Sequence, residues 1–148
     1  MVLQRVSEAT VRVNGNIIGQ IENGILVLAS FEEGDEAEDF DWMSKKIVNL
    51  RIFNDDQGVM NLSCIEVNYD ILLVSQFTLH ASTKKGNRPS YIKASKPDLA
   101  REQYLTFHQV LESNLKKTIP TGVFGADMKI SLTNDGPVTI MIDSKNRA

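Results

Sequence analysis

Two short stretches of the chain hold residue types that could do chemistry. In the first, Ser75-Gln76-Phe77-Thr78-Leu79, two hydroxyls and an amide follow the wholly apolar run Ile71 to Val74. Such side chains orient polar substrates, and a threonine hydroxyl is a nucleophile where a neighbouring base activates it. A strand that simply reaches solvent would carry the same residues, so their types alone leave both readings open. The second stretch is Asn134-Asp135-Gly136-Pro137-Val138-Thr139. Asn-Asp-Gly is turn chemistry, and a proline in a tight turn adopts the cis form at low cost. Composition alone reads this stretch as a hairpin turn.

Other catalytic patterns are missing from the sequence. There is no Gly-x-Ser-x-Gly elbow, no phosphate-cradling loop and no Gly-x-Gly-x-x-Gly fingerprint. No His, Cys, Asp or Glu group has metal-ligand spacing, so neither metal nor cofactor is expected. Asp55 and Asp56 beside Asn54 are too few for a calcium loop and read as turn residues. The histidines are His80 and His108. His80 follows the first polar stretch and is the one base near Thr78 in sequence. His108 sits beside Phe107 and reads as a surface or satisfied side chain. The single cysteine, Cys64, lies in Leu62-Ser63-Cys64-Ile65, which reads as part of a half-buried strand. No adjacent His or Lys would lower its pKa, so an apolar packing role is expected.

These stretches must be positioned by the elements around them. Ala9 to Val13 and Ile17 to Ile21 flank Asn14-Gly15, a strong hairpin signal because both turn residues tolerate positive φ. Ile25 to Phe31 reads as a buried strand. Asp35 is expected to cap a helix whose apolar face is Phe40, Met43, Ile47 and Leu50, with Trp42 beside it. Arg51 to Phe53 predicts a short strand, and Asn54 to Gly58 a turn. Ile71 to Phe77 is the clearest buried strand. A polar loop from Ala81 to Lys96 follows, and loops of this length are usually functional or mobile. Pro97 suits the first turn of a second helix, with Ser95 or Lys96 at the cap and a face of Ala100, Tyr104, Phe107, Leu111 and Leu115. Strands are expected at Gly122 to Phe124, Met128 to Leu132 and Val138 to Ile142. Many strands, two main helices and no regular alternation define an α+β class. The expected architecture is compact, with largely antiparallel sheets forming a barrel-like core, and residues 1–148 read as a single domain.

Bulk properties narrow the partners. The chain has 148 residues, 42% of them apolar and 24% charged, with a net charge of −3. That charge argues against coating nucleic acid over the whole surface, but not against a local patch. Lys84, Lys85, Arg88, Lys93, Lys96 and Arg101 stand against only Asp98 between residues 84 and 101. This is either a solvated loop and helix start or a landing site for phosphates. Apolar runs such as Ile25 to Ala29 are too short to span a bilayer, and the start lacks an export signal. With no second cysteine for a disulfide, a soluble cytoplasmic protein is expected.

Ser-Gln-Phe-Thr-Leu and Asn-Asp-Gly-Pro-Val-Thr are similar to the paired signature motifs of the D-aminoacyl-tRNA deacylase family. The resemblance extends along the chain in order. It runs through Val2 to Val6, Lys45 to Phe53, Met60 to Ser63, Lys85 to Ser90 and Thr121 to Met128. It implies hydrolysis of the ester joining a D-amino acid to the 3′-terminal ribose of tRNA. It also implies a homodimer with sites at the interface, where Gly136 and Pro137, joined by a cis peptide, enter the partner's pocket. Their backbone carbonyls would exclude an L side chain, while achiral glycine would pass, making glycyl-tRNA a second substrate. Ser75 and Gln76 would orient the ester. The Phe77 or Thr78 amide would stabilise its oxyanion, or the Thr78 hydroxyl would attack it. A water assisted by the ribose 2′-hydroxyl is ranked ahead of that attack. Phe124 and Met128 would line the pocket near the terminal adenosine, although both also suit the core. The chain departs from the pattern at His80, where tyrosine is frequent, at Asn87, where a basic residue is common, and in a slightly short N-terminus. A non-enzymatic nucleic-acid-binding module and a small-molecule hydrolase of the same fold are the competing expectations.

Overall fold

The computed structural model describes residues 1–147. Its sheet is organised around β1 (Val2–Val13), a long strand that runs into β2 (Asn16–Ile21) through the predicted hairpin. Asn14 and Gly15 have φ of 50° and 80°, as this turn requires. β3 (Gly24–Ala29) returns antiparallel along the first half of β1. β6 (Asp70–Ser75) then lies beside β3 in parallel register, the exception to the antiparallel rule. The fifth strand, β7 (Lys129–Met141), pairs antiparallel with nearly all of β1 on its other side.

Both faces of this curled sheet are covered, which explains why β3 and β6 read as unbroken apolar runs. Ile25, Val27, Ile71 and Leu73 face a core shared with the helices, including Phe40, Met43, Ile47, Phe107 and Leu111. The alternate residues Leu26, Leu72 and Val74 join Val6, Val11 and Ile21 on the opposite face, against Met128, Ile130 and Leu132. Phe31, Phe40 and Phe107 meet edge-on at the centre of the larger core.

The helices are α1 (Ala37–Asn49) and α3 (Pro97–Leu115), with a single-turn α2 (Cys64–Val67) between them. Pro97 opens α3 after Lys96, and every residue expected on its inner face is buried. Several boundaries differ from the sequence expectation. Asp35 does not cap α1; Glu36 does, through a reciprocal box with Asp39, while Asp35 accepts the Glu32 amide at 2.9 Å. The strand expected through Cys64 stops at β5 (Met60–Leu62), because Ser63 and Glu66 form a second capping box that starts α2. Cys64 is fully buried, as its expected packing role requires, and burial pushes its thiol up to about 12. The strand at Arg51 to Phe53 is instead β4 (Phe53–Asn54). Gly122 to Phe124 form no strand; only Thr121 bridges to Leu73. The two terminal strands are one, since β7 continues through Asp135 to Pro137 without turning back.

Candidate functional site

The first polar stretch sits where the parallel pair ends. β6 finishes at Ser75, two residues before the expected limit, and Phe77–His80 wind into a 3₁₀ turn. The Gln76 amide still bonds to the Ala29 carbonyl at 2.7 Å, so the turn is pinned to the end of β3. Gln76 Nε2 donates to Thr78 Oγ1 at 2.5 Å, leaving the threonine's own proton free to be donated elsewhere. The Phe77 and Thr78 amides have no partner among the described residues, whereas Leu79 donates to Gln76. Phe77 is 57% exposed and meets Tyr91 edge-on at 5.2 Å, which brings the long loop over this turn. Mutual hydrogen bonds between Ser82 and Ser90 tie the base of that loop, and its Lys84, Lys85 and Arg88 are exposed.

The ring nitrogens of His80 meet partners other than Thr78. Its Nδ1 meets Ser30 Oγ at 2.5 Å and its Nε2 lies 3.3 Å from Glu32 Oε1, so both ring nitrogens are engaged by the segment leaving β3. The histidine expected to be satisfied, His108, bonds to the Ile119 carbonyl at 2.8 Å and faces Glu112.

Gly136-Pro137 is cis, and it lies in a bulge rather than a hairpin. β1 pairs Gln4 with Thr139 and Val6 with Asn134, so Asp135 to Val138 all stand opposite Arg5. Arg5 is 7% exposed and carries the bulge. Its Nε donates to the Asp135 carbonyl at 3.0 Å and its Nη1 to the Ile52 carbonyl at 2.7 Å. A methyl group on Gly136 would come within 2.7 Å of Arg5 Nη2, and φ of +127° already favours glycine there. Asn134 closes the other side. In the amide orientation that satisfies both its ends, it donates to the Arg5 and Val138 carbonyls and accepts from Thr139. Gly136 and Pro137 themselves are exposed.

Phe124 is half-buried, tilted on Tyr104 at 5.7 Å, with the Arg101 guanidinium 5.4 Å from its ring centre. The last cation of the basic stretch thus stacks on the aromatic expected near the adenosine. Tyr104 donates to the Leu73 carbonyl at 3.0 Å, and burial raises its hydroxyl to about 12. Met128 packs on the smaller core, against Gly122.

Within one chain the registers keep the two motifs apart. The bulge is level with Ile25 and Ile71, four residues before Ser75, which is about 13 Å along the strands. It is also three strands away, across β1, β3 and β6.

Sequence reasoning missed Arg5, Ser30 and Glu32. Arg5 left a signal, since strand alternation places it on the same face as buried Leu3, and a charge in such a slot needs partners. Ser30 and Glu32 left none, because their role depends on the parallel pairing of β3 with β6.

The curled sheet, the 3₁₀ turn at its end and the arginine-held Gly-Pro bulge are the features that characterise this fold. The chain belongs to the D-Tyr-tRNA(Tyr) deacylase family, whose model matches residues 2–143. It is 57% identical over 147 residues to the D-aminoacyl-tRNA deacylase of Flavobacterium psychrophilum, covering 99% of this chain and 98% of that one. It is 58% identical over 146 residues to that of Parabacteroides distasonis, covering 99% and 97%. A solved structure named c-Myc DNA Unwinding Element Binding Protein superposes with a TM-score of 0.91 at 39% identity, covering 96% of each chain. A probable eukaryotic D-amino acid tRNA deacylase shares the fold, with a TM-score of 0.81 at 18% identity over 95% of this chain and 96% of that one.

Proposed function

We propose that the chain hydrolyses the ester linking a D-amino acid to the 3′-terminal ribose of tRNA, and accepts glycyl-tRNA as a second substrate. The observation that carries this is the pair of unpartnered amides, Phe77 and Thr78, at the solvent-facing head of the 3₁₀ turn. An activated ester needs positioning and a place for its developing oxyanion, and one fixed N–H is worth roughly 3 kcal/mol there. Ser75 and Gln76 flank those amides and orient the substrate, while Phe124 and Met128 receive the terminal adenosine. Gly136-Pro137 excludes L side chains with rigid backbone rather than a side chain that could rotate away. The separation of the motifs within one chain supports a homodimer, in which each subunit lends its bulge to the other's site. The reading places one domain, residues 1–148, in the cytoplasm; among the described residues no helix is long and apolar enough to cross a membrane. It is tested by timing deacylation of matched D- and L-tyrosyl-tRNA. Rapid loss of the D ester with sparing of the L ester is expected, and equal rates would overturn chiral selection.

The basic loop is read as the approach surface for the tRNA backbone. Reversing charge at Lys84 and Lys85 together should weaken tRNA binding and reduce the slope of log K against log salt by about two. An unchanged slope would return the loop to a solvated role. One observation favours a second reading, a nucleic-acid-binding module without turnover: the 39%-identical relative is named for binding a DNA element. Retained RNA binding with no loss of the D ester would select it.

A further inference from the structure

We infer that Ser30, His80 and Glu32 form a relay that sets the orientation of the Phe77–Thr78 peptide, with His80 as its positioning residue. The inference rests on the reading of the Thr78 amide as an oxyanion donor. Three contacts build the relay. Ser30 Oγ lies 2.5 Å from His80 Nδ1 and 3.4 Å from the Phe77 carbonyl oxygen. Glu32 Oε1 lies 3.3 Å from His80 Nε2. Glu32 is itself anchored, since its carbonyl accepts from Gln103 Nε2 at 2.7 Å and its amide donates to Asp35 at 2.9 Å.

The carbonyl of Phe77 and the N–H of Thr78 belong to one planar peptide and point to opposite sides of it. Whatever holds the carbonyl therefore aims the N–H. The turn itself supplies little restraint. It is four residues long, contains no buried residue, and lies where β6 has lost its partner strand. Ser30 reaches the carbonyl from the neighbouring strand end, but a free serine hydroxyl rotates among three staggered positions. His80 removes that freedom by fixing Oγ through Nδ1. Because Oγ donates to the Phe77 carbonyl, Nδ1 must donate to Oγ, and the Glu32 carboxylate 3.3 Å from Nε2 then fixes the ring when the imidazole carries a proton on both nitrogens. Only the parallel register brings these groups together, because it sets the exits of β3 and β6 side by side.

The relay predicts a particular kinetic signature. His80→Phe keeps the ring's bulk and loses both nitrogens; its kcat on D-tyrosyl-tRNA should fall about tenfold, part of the hundred- to thousandfold that losing such a donor costs. KM should hardly change, since neither Ser30 nor His80 is placed against the substrate. His80→Asn presents a polar atom near the Nδ1 position and should recover most of the loss. Ser30→Ala should match His80→Phe, and the double variant should be no worse than either single one, as members of one chain of contacts behave. The Thr78 amide proton resonance should move in both single variants while their melting temperatures stay near the parent's. Full kcat in folded His80→Phe and Ser30→Ala, or additive losses, would overturn the relay and leave the deacylase reading intact. A parent protein that fails to turn over D-tyrosyl-tRNA would overturn that reading, and the relay's catalytic role with it. If His80→Phe does not fold, the smaller Ser30→Ala change decides alone, by kcat and by the Thr78 resonance.

Discussion

Replacing Arg5 by methionine is expected to collapse discrimination between D- and L-tyrosyl-tRNA by at least about tenfold while D-ester turnover falls less. Methionine fills the same buried channel but donates nothing. The Ile52 carbonyl, whose bond is buried, would be left unsatisfied at about 1–3 kcal/mol, and the part-buried Asp135 carbonyl would lose the bond that ties the bulge down. The bulge would then be free to withdraw from the position in which, on the proposed reading, it excludes an L side chain. A lower melting temperature is expected as well. Lysine should not rescue the variant, because a single ammonium cannot serve two carbonyls in the fixed directions of a guanidinium fork. Selectivity is read as the ratio of first-order deacylation rates of the two esters. An unchanged ratio in a folded Arg5→Met protein would remove Gly136-Pro137 from the chiral step.

The second large effect concerns the RNA rather than the protein. A D-aminoacyl ester on tRNA ending in 2′-deoxyadenosine should be hydrolysed about a hundredfold more slowly than the ribose form, the low end of what a positioned proton-transfer group contributes. The reason lies at Thr78. Its hydroxyl is paired with the Gln76 amide, which is no base, and His80 is occupied by Ser30 and Glu32. Among the described residues no basic group bonds to the Thr78 hydroxyl, and on the proposed reading the vicinal 2′-hydroxyl assists the water. Thr78→Ala should accordingly reduce the rate without abolishing it. Equal turnover of the deoxy substrate, together with complete loss in Thr78→Ala and an acyl-enzyme trapped on the parent protein, would reverse the assignment in favour of a threonine nucleophile.

Much of this architecture was legible in the sequence because local rules and tertiary packing agree there. Asn14-Gly15 demanded positive φ and received it. The spacing of Tyr104, Phe107 and Leu111 wrote the inner face of α3, and Pro97 marked its first turn. Where the reading failed, a nonlocal pairing or a reciprocal side-chain bond decided the outcome. Glu36 displaced Asp35 as cap through its exchange with Asp39, and Ser63 with Glu66 turned a strand-like run into a helix start. Asn-Asp-Gly-Pro reads as a reversal of chain direction, yet β1 holds both flanks on one line and the surplus residues arch over Arg5. The two motifs stood out as residue types. Their support did not, since Arg5 and Ser30 act through partners 130 and 50 positions away.

The pairing of β1 with β7 also sets when the sheet can be completed during synthesis. β1 leaves the ribosome before residues 129–141, and one of its two edges waits for them. The amine of Met1 likewise finds its acceptor, the Ile142 carbonyl, only once residue 142 has been made. Until then the nascent sheet carries an open edge along most of its longest strand, the kind of edge that invites mispairing between neighbouring chains. Nascent chains halted before residue 129 should therefore depend on holding by chaperones. The Gly136-Pro137 bulge lies in β7, so a chain halted before that strand has no bulge for Arg5 to hold.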